Sequence, residues 1–320
     1  MSHHLIDISA ASCTITCKHG QLICRPENEP ERSVPMEDVG AVLISSFSAL
    51  VHNRVFLEAA RHGTVIVFCE NFRPSGILLP ANRATDTLLT RAQLRLTDAV
   101  QRTLWHKTVT AKCINQAAFA KRLDVAHLQT ERLARIAGGP RTDKESNCAR
   151  LYWRVLSERL EMKRFKRTRQ EEGLNSLLNY GYAVLLARML QKMLAVGIDP
   201  VFGIGHAVRE RATPLAYDLM EPFRVAVDAR VVAWVEGILA QSAQRAESGE
   251  DGQPIIEVSR EYKKWVQRFL ETQVPYEKRQ IKVEHLIEHV LHGFREAVLA
   301  KRPGLYKPWT LGSTKWDGSL

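Results

Sequence analysis

No stretch of this chain approaches the roughly 18 consecutive apolar residues of a membrane span, and the amino terminus has no basic region leading into an apolar run. A cytoplasmic protein without a membrane partner is expected. The six cysteines (Cys13, Cys17, Cys24, Cys69, Cys113 and Cys148) form no CxxC pair, and no Cys/His spacing matches a zinc module. Reduced, mostly buried thiols are therefore predicted. A Walker-type phosphate loop is absent, as are internal repeats and low-complexity tracts. Gly203-Ile204-Gly205 follows no clear strand and lacks the third glycine of a dinucleotide motif. ATP-driven work is thus not indicated.

What is present is an ordinary globular composition, 45% hydrophobic and 25% charged, in 320 residues, a length that suits two moderate domains. The net charge of +10 is uneven. Residues 1 to 80 carry 6 basic and 8 acidic side chains, so the remainder holds a surplus of +12. A polyanionic partner for the second part, such as DNA, is consistent with that asymmetry.

The fold class expected is α+β: a small β-rich amino-terminal domain, 1–82, then a larger all-α catalytic domain, 83–320. Strands are predicted at His4 to Ile8, Cys13 to Lys18, Gln21 to Arg25, Val39 to Ser45, Thr64 to Phe68 and Ile77 to Leu79. His19-Gly20 reads as a hairpin turn, 27–35 as a polar loop, and Leu50 to Ala60 as a helical stripe ending at Gly63. The apolar run Val65-Ile66-Val67 suggests a strand buried on both faces. Beyond residue 85 the period becomes helical, with helices predicted over 86–103, 105–120, 124–136, 143–157, 174–196, 214–240, 257–272 and 281–300.

Several side chains in this second part are candidates for chemistry. Glu145 falls in a helix's first turn behind Thr142, a capping-box pattern that alone requires only a helix dipole to explain it. His206 follows the turn-forming stretch Asp199-Pro200 to Gly205. Asp218 and Glu221, three apart, project from one helix face, and Pro222 predicts a kink there because it cannot donate to the Asp218 carbonyl. An acid, a histidine and a second acid are a hard, incomplete ligand set, suited to Mg²⁺ or Mn²⁺ with positions left open for phosphate and water. Lys163, Arg164, Lys166, Arg167 and Arg169 cluster around Phe165 between two helices.

The order of several strings resembles the CRISPR-associated integrase family, the endonucleases of spacer acquisition. These are VIVFCE and PSGILLP (Val65 to Glu70, Pro74 to Pro80), KESN (Lys144 to Asn147), LNSLLNYGYAVL (Leu174 to Leu185), GIDPVFGIGH (Gly197 to His206) and LAYDLMEPFRVAVD (Leu215 to Asp228). The resemblance implies a metal-binding catalytic set of Glu145, His206 and Glu221, with Asp218 in support. It also implies joining of 3′-hydroxyl ends of short DNA duplexes to a CRISPR array by direct attack on a phosphodiester. Homodimers pairing through the β-rich domain and a small ferredoxin-like companion Cas protein are implied partners, alongside double-stranded DNA. Beside such a site Arg164, Arg167 and Arg224 become candidate phosphate contacts. Where Ser146 and Cys148 stand the family favours small residues, and Cys148 suggests sensitivity to thiol reagents.

Two other functions fit the same residues: a structure-selective nuclease acting on branched DNA in repair, and a non-catalytic DNA-binding scaffold. His285, Glu288 and His289 spell a zinc-peptidase string, with His292 adding a third imidazole. Helical spacing turns these histidines away from the apolar face of Leu286, Ile287, Val290, Leu291 and Phe294, so a peptidase is set aside.

Overall fold

The structure, a computed structural model, describes residues 4–9, 12–80, 86–123, 125, 127–139, 144–162, 165–168, 172–205, 212–247 and 255–311. Its amino-terminal part contains β1 (His4–Ile8), β2 (Ser12–Lys18), β3 (Gln21–Pro26), β4 (Arg32–Pro35), β5 (Val39–Ile44), β6 (Ser48–Val51), α1 (Asn53–His62), β7 (Val65–Glu70) and β8 (Arg73–Leu78). The helical part follows: α2 (Thr87–Leu94), α3 (Asp98–Ala120), α4 (His127–Gly138), α5 (Lys144–Arg159), α6 (Leu174–Val196), α7 (Pro214–Met220), α8 (Arg224–Glu247) and α9 (Arg260–Gln267). A short hairpin of β9 (Gln273–Tyr276) and β10 (Arg279–Lys282) then precedes α10 (Val283–Leu299). A β-rich region followed by a mostly helical one is the order expected.

Backbone proximity groups the chain into two compact units, Met1–Arg95 with Ala183–Tyr217, and Leu96–Tyr182 with Asp218–Leu320. The anticipated division at 82/83 falls at residues outside those described.

In the first unit two four-stranded sheets, ordered β1-β5-β7-β8 and β4-β3-β2-β6, share a core. Ile8, Val42 and Ile66 from one sheet, Ile15, Cys17 and Leu22 from the other, and Val55 and Ala59 of α1 fill it. Burying the Ile, Val and Leu side chains contributes roughly 1.5–3 kcal/mol each. Val65, Ile66 and Val67 are all fully buried, as a strand covered on both faces requires. His19 and Gly20 both have positive φ, 51° and 73°, the backbone of a tight hairpin turn matched to strand twist.

The differences from expectation lie in short elements. Arg32–Pro35 is strand β4 rather than loop, paired antiparallel to β3, and Ser48–Val51 is strand β6, parallel to β2, rather than the start of α1. Each spans four residues, too few for a period of two to show against a helical stripe. The β9–β10 hairpin, with Val274 opposite Ile281, replaces the all-helical reading of this stretch for the same reason. The break expected near residue 104 comes at Thr97, whose hydroxyl accepts from the Val100 N–H at 3.5 Å and starts α3. Among the described residues no helix is long and apolar enough to cross a membrane.

The six cysteines carry no disulfide, and all but Cys24 are buried. On α10 the apolar face is buried while His285, His289 and His292 are exposed, as their spacing demands.

Candidate active site

The site lies in the second unit, on helices that meet around one ammonium group. Glu145 occupies the first turn of α5, where helix dipole and open backbone N–H groups favour an acid. Thr142, its expected capping partner, lies outside the described residues. Glu221 opens a 3-10 turn, Glu221–Phe223, that separates α7 from α8. Pro222 produces that break, since its nitrogen has no hydrogen for the Asp218 carbonyl. The anticipated kink is therefore present.

Lys112 of α3 stands between the two acids. Its Nζ is 2.7 Å from Glu145 Oε1 and 2.8 Å from Glu221 Oε2. Burial lowers the ammonium's pKa, but the charges of Glu221 and Glu145 outweigh it and hold Lys112 above its ordinary value. The two carboxylates thus converge on one point that accepts positive charge. Glu145 is the open side, its side chain 39% exposed against 5% for Glu221. It borders a cavity of about 640 Å³ whose wall also includes Arg102, Trp105, His106 and Lys112.

Around Glu221 the packing is dense. Asn115, one turn beyond Lys112 on α3, donates to the Pro222 carbonyl at 2.7 Å and to the Trp309 carbonyl at 3.1 Å. Its own amide oxygen accepts from the Leu311 N–H at 2.6 Å, and Phe223 stacks on Trp309 at 5.6 Å. Arg224 Nη2 meets Glu221 Oε1 at 2.9 Å, and the guanidinium lies 4.6 Å from the centre of the Tyr182 ring. Burial opposes that charge, yet Glu221 holds the Arg224 pKa above its usual value.

Beyond Arg224 is a buried acid. Asp228 accepts from the Tyr182 hydroxyl at 2.5 Å and from the Tyr152 hydroxyl at 2.7 Å. Burial pushes its pKa up to about 6, against the opposing pull of both hydroxyls and of Arg224 and Arg167.

The remaining sequence candidates are placed as follows. Asp218 is buried on α7, and its charge adds to burial in raising the Tyr306 pKa. Arg167 donates to Asn175 Oδ1 and Asn179 Oδ1, both at 2.8 Å, and lies 5.5 Å from the Tyr182 ring centre. His206 and Arg164 lie outside the described residues. Among those described, no three His, Cys, Asp or Glu side chains form a metal-holding group. Cys148 is fully buried against Cys113, so the reagent sensitivity expected of it has no exposed thiol to act through.

Sequence reasoning missed Lys112, Asn115, Tyr152, Tyr182 and Asp228. A lysine or asparagine on a mixed helix carries no signal of its own. Asp228 did carry one, because an acid inside the apolar stretch Arg224 to Val235 needs buried partners.

The sequence pattern of the family described as CRISPR associated protein Cas1 matches residues 7–249. The chain belongs to that family. It is 29% identical over 211 residues to the CRISPR-associated endonuclease Cas1 of Neisseria meningitidis serogroup C (strain 8013), covering 64% of this chain and 68% of that protein. Its fold resembles that of a casposase bound to integration product, with a TM-score of 0.73 and 16% identity across 98% of this chain and 96% of the other. It also resembles a chain of a Cas6-RT-Cas1--Cas2 complex, with a TM-score of 0.71, 16% identity, and coverage of 98% of this Cas1-family chain and 37% of the other.

Proposed function

We propose that this Cas1-family protein is a divalent-metal-dependent DNA endonuclease and integrase of spacer acquisition, with Glu145, His206 and Glu221 as its metal ligands. The observation that carries this reading is the convergence of Glu145 and Glu221 on a single cationic atom. Hard carboxylate oxygens gathered at one point fit Mg²⁺ or Mn²⁺, and His206 would supply the nitrogen donor. The ion would neutralise charge on the scissile phosphodiester and polarise its oxygens.

The chain's own residues do the rest. Arg102 borders the cavity beside Glu145 and provides positive charge for a DNA strand. The 3′-hydroxyl oxygen of the incoming duplex bonds to phosphorus as the target's P–O3′ bond breaks. The attacking hydroxyl loses its proton to solvent and the departing oxygen takes one up, so one diester replaces another without a covalent enzyme intermediate. Arg224 steadies Glu221 throughout, and Asp218 supports the same turn from α7. Arg164, Arg167 and Arg224 remain the candidate phosphate contacts.

Residues 1–82 serve as the dimerisation domain in this reading. The exposed apolar side chains Phe47, Leu50 and Leu57 supply a surface for a second copy. The small ferredoxin-like companion Cas protein is the further partner, in keeping with the Cas1--Cas2 complex named above, and the assembly works in the cytoplasm.

The test mixes the protein with its companion, Mn²⁺, a duplex bearing 3′-hydroxyls and a supercoiled array plasmid. Branched or relaxed products should form. Glu145→Ala and Glu221→Ala should each reduce them at least about 100-fold, the scale of lost transition-state charge stabilisation. Undiminished joining by both variants would remove the carboxylates from the mechanism.

A further inference from the structure

Asp228 lies in none of the roles above, yet both oxygens of its carboxylate are taken by hydroxyls from different helices. Tyr152 reaches it from α5, seven residues and so two turns beyond Glu145 on the same face. Tyr182 reaches it from α6. The hydrogen bond to Tyr182 fixes the ring against tilting. That ring in turn lies under Arg224, whose Nη2 holds Glu221 Oε1 at 2.9 Å and leaves Oε2 directed at the meeting point with Glu145.

We infer that Asp228 is a positioning residue: through Tyr182 and Arg224 it fixes the orientation of the Glu221 carboxylate and so sets the affinity of the site for a divalent ion. The inference rests on the metal role proposed for Glu221. Every link is buried or largely so, which is where an orienting hydrogen bond keeps its strength. A buried cross-link that merely stabilised α5, α6 and α8 would need the two tyrosines and the acid alone. Here the chain continues through a guanidinium to a carboxylate of the site, while its other end is anchored on the helix that carries Glu145. Outer partners of this kind orient the groups that touch the ion, and their loss weakens metal binding about 10- to 100-fold.

The experiment measures Mn²⁺ binding to the full chain by the electron paramagnetic resonance signal of unbound Mn²⁺, with thermal midpoints recorded alongside. Tyr182→Phe keeps the ring under Arg224 and removes the hydroxyl that bonds both Asp228 and Arg224. It should raise the Mn²⁺ dissociation constant about 10-fold, as should Asp228→Asn. Arg224→Lys should do the same, and the Tyr182→Phe/Arg224→Lys double variant should be far less impaired than the product of the two single effects, because both act on one path. A Tyr182→Phe protein with a lower midpoint but wild-type Mn²⁺ affinity would reduce Asp228 to a structural cross-link and overturn the inference alone. Should the wild type bind no Mn²⁺ that Glu221→Ala abolishes, the metal reading and this inference fall together.

Discussion

At the scale of single residues, Lys112 is the side chain on which the site's electrostatics turn. Its ammonium touches both acids, and the Lys112–Glu221 pair is largely buried, with side chains 13% and 5% exposed. Replacing one member of such a pair strands the other's charge, at a cost of about 3–5 kcal/mol. Lys112→Met should therefore lower the melting midpoint by several degrees, and added Mn²⁺ should raise it more than in the wild type, since a second cation then answers two facing carboxylates. Equal Mn²⁺ shifts in both proteins, measured by circular dichroism melts, would contradict this. The two acids were legible in advance because each sits in a distinctive string, KESN or DLMEPFR. Lys112 was not, because no local pattern marks which lysine of an amphipathic helix turns inward.

At the scale of elements, α6 and α8 approach so closely that a side chain changes the spacing. A Cβ on Gly181 would stand 2.4 Å from Val227 Cγ1, well inside contact. Gly181→Ala should destabilise the fold by about 1–3 kcal/mol, the usual cost of overpacking, and Val227→Ala in the same chain should recover part of it. Urea midpoints of the single and double variants decide the matter; an additive loss would mean that the helices are not held apart by this pair. The long helices were readable in sequence, with α6 placed at 174–196 and the Pro222 break found where the ring forbids a hydrogen bond. The four-residue strands β4, β6, β9 and β10 were not, because their identity comes from pairing with a neighbour rather than from their own periodicity.

At the scale of the whole molecule, the order of a β-rich part and a helical part followed from the change of period near residue 85. The grouping of 183–217 with the first 95 residues did not, since it depends on contacts between distant segments. The surplus positive charge beyond residue 80 makes duplex binding an ion-exchange process. Affinity for DNA, followed by fluorescence anisotropy, should fall linearly in log–log form with salt, by roughly 10³–10⁵ between 50 and 200 mM if 6–10 phosphates are neutralised. A flat salt profile would show that the charge serves another purpose.

The bracing of Pro222 and Phe223 by Trp309 and, through Asn115, by Leu311 ties the turn that carries Glu221 to a stretch of chain well outside the family's matched span, which stops at 249. A polypeptide interrupted anywhere between those points would possess every candidate ligand and yet lack the buttress behind Glu221.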